Sequence, residues 1–172
     1  AKVSFFVSKE TVRSYDGSIQ KAEVSAMALS RVFDESNYTV YYTGTDGVKT
    51  AQPVNADEYK ISIELNDEFK GNYEAIQPDA VLKISIDETA KLYITGSNKN
   101  VTAGDVFTLY AHYGNEMPSV KWEVTEGSDV AVISDSGEVT VLKSGRAVIK
   151  ATLTDENYGG GSTEFELVPA KK

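Results

Sequence analysis

Apolar and polar residues alternate along several short segments of this 172-residue chain, the period that buries one face of a β-strand and leaves the other in water. In residues 59–65, Tyr59, Ile61, Ile63 and Leu65 share one face, and Lys60, Ser62 and Glu64 the other. Residues 81–86 repeat the pattern with Leu82, Ile84 and Ile86 inward. Residues 38–42 are β-branched and aromatic and run into Thr45-Asp46-Gly47, a turn signal. Residues 2–7 open the chain as a further strand. The second half is denser, with seven strand candidates at 92–95, 106–112, 119–124, 130–133, 138–142, 147–153 and 162–167. Turns at Ser136-Gly137 and Ser144-Gly145 and a Gly159-Gly160-Gly161 connection separate the later ones. Strands every 8–12 residues or so, with glycine turns between them, predict a sandwich and not an α/β sheet. Phe107, Leu109 and Ala111 are predicted to face in, as are Ala147, Ile149, Ala151 and Leu153.

One stretch supports two assignments. Ala22, Ala26, Leu29 and Phe33 have helical spacing, and Ser25-Ala26-Met27-Ala28-Leu29 favours a helix by propensity. Ala22, Val24 and Ala26 also alternate as a strand would. A strand with a loop and a short helix both stay open over residues 22–33. The polar run Ile86-Asp87-Glu88-Thr89-Ala90 separates the last strong strand of the first half from the first of the second. It sets the expected domains at 1–88 and 89–172, with a linker short enough to favour a semi-rigid rod.

The segment Val120-Lys121-Trp122-Glu123-Val124, followed by the valine-rich run from Val130, the Ser136-Gly137 turn, Val139-Thr140 ahead of Gly145, and the closing Ala147-Val148-Ile149-Lys150-Ala151-Thr152, resembles the bacterial Ig-like domain, group 2. The resemblance spans about residues 91–170. The first half is similar to repeat modules of bacterial surface proteins marked by a Tyr-Asp-Gly motif. The matching residues are Tyr15-Asp16-Gly17, Val54-Asn55-Ala56-Asp57-Glu58-Tyr59, Asn72-Tyr73 and the closing strand 82–86. Asp57 departs from the glycine usual at its position. The resemblance implies a mainly β chain of two tandem small β-domains. The C-terminal domain would be an Ig-like β-sandwich, and the N-terminal one an Ig-like or β-grasp-like module with room for one short helix. It also implies a non-catalytic spacer, display or adhesion unit of a secreted or surface-anchored bacterial protein, extracellular or at the cell surface. Neighbouring repeat domains of the parent protein are the implied partners, together with a host or cell-surface protein or a glycan.

Composition narrows the partners. The formal net charge is −9 and both halves are acidic, so there is no basic footprint for nucleic acid and no attraction to anionic lipid. No apolar run approaches the roughly 20 residues that span a bilayer. The chain opens Ala1-Lys2-Val3-Ser4-Phe5-Phe6-Val7, without the charged and apolar regions of a leader, and is expected to be a mature or excised fragment. With no cysteine there is no disulfide framework and no thiolate metal site.

Candidate chemistry is sparse. The one histidine, His112, is out of phase with Leu109 and Ala111 and is expected on the solvent face. No nucleophile elbow accompanies it, so no catalytic residue, no cofactor and no enzyme activity are expected. Asp135, Glu138, Asp155, Glu156 and Asn157 put oxygens in loops where Ca²⁺ could collect them, but without an EF-hand spacing; turn formation explains them equally well, and no metal ligand is assigned. A Lys–Asn isopeptide bond would need a lysine on an inward phase near Asn55 or Asn72, and none has one. The ten tyrosines raise a different possibility, a contact surface for a glycan or protein, and the candidates are Tyr41, Tyr42, Tyr93, Tyr110 and Tyr113. Tyr41 and Tyr42 are adjacent, so one of them must point away from the core. Trp122 is assigned to the core between two sheets.

Overall fold

The computed structural model describes residues 1–28, 31–96 and 101–171. The chain forms two compact units, Ala1–Ile86 and Asp87–Lys172, each with its own core.

The first unit contains β1 (Lys2–Phe6), β2 (Glu10–Ser14), β3 (Ser25–Ala28), β4 (Arg31–Phe33), β5 (Tyr38–Thr43), β6 (Lys49–Thr50), β7 (Asp57–Leu65), the one-turn helix α1 (Asp67–Lys70), β8 (Glu74–Ile76) and β9 (Val81–Ser85). They make a four-stranded sheet, β4-β3-β1-β8, and a five-stranded sheet, β2-β9-β7-β5-β6. Val3, Ala26, Ala28 and Phe33 from the first and Tyr42, Ile61, Ile63, Leu82 and Ile84 from the second bury one another in a single core, so the unit is a two-layer sandwich. Phe5 packs edge-on to Tyr38 with ring centroids 5.1 Å apart. The chain changes layer five times, between β1 and β2, β2 and β3, β4 and β5, β7 and β8, and β8 and β9. The pairings of β1 with β8 and of β2 with β9 are parallel.

In the ambiguous stretch, residues 25–28 and 31–33 are strand. Ser25–Ala28 and Arg31–Phe33 pair antiparallel, with Ala26 opposite Phe33. Ala26 and Ala28 bury while Ser25 and Met27 stay exposed, the period of two and not of 3.6. Tertiary pairing with β1 overrode the local helix propensity. Leu29, part of the helical spacing, lies outside the described residues. This half, expected to be an Ig-like or β-grasp-like module, forms a two-layer β-sandwich, and among its described residues the α-helix is the four-residue α1, away from the ambiguous stretch.

The second unit contains β10 (Leu92–Thr95), β11 (Val106–Thr108), β12 (Tyr110–Tyr113), β13 (Val120–Glu126), β14 (Ala131–Ile133), β15 (Glu138–Val141), β16 (Ala147–Leu153) and β17 (Ser162–Leu167). The expected strand over 106–112 is two segments parted at Leu109, whose N–H donates to Gly137 O at 2.9 Å and carries the run across the break. β12 pairs with β10, and β11 with β15, which pairs in turn with β14. One layer therefore runs β10-β12/β11-β15-β14. The other runs β13-β16-β17, with a bulge between Val124 and Glu126. Trp122 lies between the layers with Leu109, Val139, Ile149 and Leu167. Among the described residues no helix is long and apolar enough to cross a membrane.

Candidate functional site

The outer faces of the second unit differ sharply. On β13-β16-β17 the register sets Glu123, Lys150 and Glu164 directly across from one another, and Lys121 lies 3.5 Å from Glu123. Arg146 bonds Glu126 and, at 3.2 Å, Glu166. The opposite layer turns out Tyr93 and Thr95 from β10; Val106, Thr108, Tyr110 and His112 from β11 and β12; Glu138 and Thr140 from β15; and Val132 from β14. Among the described residues the strands of this layer bring one formal charge to that face, Glu138, with Lys91 flanking it ahead of β10.

Alternation dictates who points out. Leu109 and Ala111 are buried, so their neighbours Tyr110 and His112 must face water. Register then pairs Tyr93 with His112 and Thr95 with Tyr110. The Tyr93 and His112 rings stack at 5.1 Å and 15°. His112 Nε2 makes a 2.8 Å hydrogen bond to Thr95 Oγ1, and the Tyr93 hydroxyl donates to Gly114 O at 3.3 Å. His112 is therefore half covered by its neighbours, more than its phase alone suggested. Tyr93 and Tyr110 remain 45% and 48% exposed.

The other tyrosine candidates go elsewhere. Tyr42 is a correction: it is 1% exposed in the core of the first unit, and its hydroxyl accepts the Ala22 N–H at 3.0 Å. Burial raises the Tyr42 hydroxyl above the ordinary tyrosine range, against the Ala22 N–H and Arg13, which favour the ionised form. A side chain enclosed in this way meets no ligand. Tyr41, on the outward phase, lies under Lys49, whose ammonium is 4.1 Å from the ring centroid and also bonds Glu64. Tyr113 has the inward phase, half-buried with its ring 4.9 Å from that of Tyr158. The structure thus brings together Tyr93 and Tyr110 and adds His112, a residue the sequence reading had set aside as merely exposed. The signal was available: 110 and 112 share a phase. Only the register put Tyr93 beside them.

Of the loop oxygens, the Asp155 carboxylate caps a 3-10 turn through the Asn157 N–H at 2.9 Å, and beside Asp135 the turn is closed by Ser134 Oγ, which accepts the Glu138 N–H at 3.1 Å. No group of three or more His, Cys, Asp or Glu is placed to hold a metal among the described residues. None of them buries a lysine or a carboxylate, as an isopeptide bond requires. The Tyr15-Asp16-Gly17 motif is an Asx turn: Asp16 Oδ1 accepts from Ser18 N, Ser18 Oγ and Gln20 Nε2 at 2.7–2.8 Å, and Gly17 takes φ +76°. A cleft of about 1060 Å³ opens between the layers of the first unit, with Phe5, Val24, Tyr38 and Val40 among its lining and the exposed Lys21, Glu23 and Glu35 at its mouth.

A four-strand layer facing a three-strand layer, with its one tryptophan between them, makes the second unit an immunoglobulin-type sandwich in the seven-strand, constant-type arrangement, one strand being interrupted. Residues 80–162 match the model of the family described as bacterial Ig-like domain (group 2). That match begins just ahead of β9 and ends at the first residue of β17. No curated protein matches the chain. Among solved structures it is similar to fibronectin(III)-like modules of Clostridium thermocellum CbhA, with 13% identity over 97% of this chain and 94% of that one, at a TM-score of 0.33. Tandem Ig repeats of Dlar share 14% identity over 99% and 98% of the two chains, at a TM-score of 0.30. A protocadherin gammaB7 EC3-6 cis-dimer structure shares 15% identity over 96% of this chain and 48% of that chain, at 0.33.

Proposed function

We propose that the chain is a non-catalytic structural and adhesion module of a secreted or surface-anchored bacterial protein, serving to space or display its neighbours. The observation that carries this reading is the four-on-three sandwich around Trp122 over the stretch that matches the bacterial Ig-like family. Two further features support it. No charged side chain is buried among the described residues, and the one histidine is occupied by Thr95 and Tyr93. The first unit, with its Tyr-Asp-Gly turn, acts in this reading as a surface-repeat module of the same protein. The test is location. Antibody raised to this chain is expected to label intact cells of the parent bacterium and to lose its target after external protease. Labelling that appears only after lysis overturns the proposal.

A second reading has one specific observation in its favour. The sparsely charged outer face bearing Tyr93, Tyr110 and His112 suits recognition of a glycan or a host protein, so the module would bind as well as space.

A further inference from the structure

We propose that the outer face of β10, β12, β11, β15 and β14 is a platform for neutral carbohydrate, a proposal that rests on the second reading above and names its ligand class. Charge is the first argument. In a chain of net charge −9, the strands of this face offer one carboxylate among the described residues, Glu138, while the opposite layer carries the Glu123–Lys150–Glu164 row. Among the described residues it holds no cluster of cations for phosphate or acidic sugar, and the chain's own field disfavours both. An uncharged partner is the complement.

Shape and chemistry narrow it further. Among the described residues the face is an open sheet surface, without the pocket in which an aromatic or arginine anchor of a protein partner is desolvated. It interleaves ring edges and hydroxyls, from Tyr93, Tyr110, Thr95 and Thr108, with the imidazole of His112. A pyranose has the matching composition, apolar C–H surface rimmed by hydroxyls, and tyrosine supplies an apolar body with a polar tip. Two residues along a strand span ~7 Å, the scale of one sugar ring. Tyr93 is also preset. His112 stacks on one side of its ring and Gly114 O holds its hydroxyl, so little side-chain freedom is lost on binding. The side of the ring away from β12 faces the edge of the layer.

The experiment is a titration of the ¹⁵N-labelled whole chain with neutral hexasaccharides, the β-1,4-glucan, β-1,3-glucan, β-1,4-N-acetylglucosamine and α-1,4-glucan series. A galacturonic acid hexamer serves as the acidic comparison. The expected result is saturable shifts at residues 92–95 and 108–113 with at least one neutral probe, at a dissociation constant on the order of 1 mM. Tyr110→Ala and Tyr93→Ala should each weaken it roughly tenfold, Tyr110→Trp should retain it, and Tyr41→Ala should leave it unchanged. The dispersed amide spectrum of each variant reports that it is folded. The proposal is overturned if no neutral probe shifts this face, if the acidic hexamer binds it better, or if the shifts survive both alanine substitutions. A protein ligand that occupies the face while every sugar fails overturns it too. None of these results bears on where the parent protein resides, so the spacer reading stands or falls separately.

Discussion

Asp57 shows how much of a turn one carboxylate can organise. Its carboxylate accepts from the Thr45 N–H at 2.9 Å, the Thr45 hydroxyl at 2.8 Å and the Glu58 N–H at 2.8 Å, clasping the turn between β5 and β6. Partial burial works against the charged form, but these three donors outweigh it and hold the group below the usual carboxylate range. A depressed folded pKa means stability that is present above about pH 4 and lost as pH falls through the lowered value. Denaturant titrations across the acid range should show that slope, and Asp57→Asn should flatten it; Asp57→Ala should cost about 1–2 kcal/mol at neutral pH. Gln77 does comparable work unseen by any motif. Its side-chain amide accepts the Ile63 N–H at 2.9 Å and donates to Ile63 O at 2.8 Å, finishing the ladder of β7 where β9 gives out. Gln77→Ala leaves both groups of a 2% exposed residue without a protein partner and should lower stability by about 1–2 kcal/mol. At Gly137, φ is +86° and a Cβ would sit 2.5 Å from Leu109 O, so Gly137→Ala should cost about 1–3 kcal/mol and shift the emission of Trp122, whose Nε1 would be 3.3 Å from the new atom. Composition marked the glycine as a turn residue; its closeness to Trp122 is a tertiary fact.

At the scale of elements, alternation was informative wherever one face of a strand is buried. β7 buries Tyr59, Ile61, Ile63 and Leu65, and β16 buries Ala147, Ile149, Ala151 and Leu153, as their patterns predict. Short edge elements were less legible. β2 exposes Val12 and half-buries Thr11 and Arg13, so its composition carries almost no phase. β6 has two residues and β8 three, too few for any period to register. The charged row across β13, β16 and β17 gives this scale its prediction. Lys150→Glu aligns three carboxylates on adjacent strands, and the melting temperature of the second unit should fall at low salt and recover in part near ~1 M salt. A loss insensitive to salt would show that Lys150 acts through packing instead.

On the scale of the molecule, two separate cores and one tryptophan make the units distinguishable. Trp122 fluorescence reports the second unit alone, while far-ultraviolet circular dichroism follows both. Leu82→Ala, which empties a fully buried site in the first core, should shift the dichroism transition by about 2–5 kcal/mol and leave the Trp122 transition in place. The sequence by itself determined that the chain is mainly β and where most strands fall, because a half-buried strand writes its period into its residues. It also marked Trp122 as internal, and Ser136-Gly137 as a turn because turn geometry restricts residue type locally. That residues 25–28 and 31–33 are strands, that Tyr42 is enclosed, and that Tyr93, Tyr110 and His112 share one face with scarcely a charge among the described residues followed only from the tertiary pairing. Those outcomes depend on which strand lies beside which. Pairing partners far apart in the chain are chosen by the packing of the whole layer, and a single segment's period says which way its side chains alternate without saying what they meet.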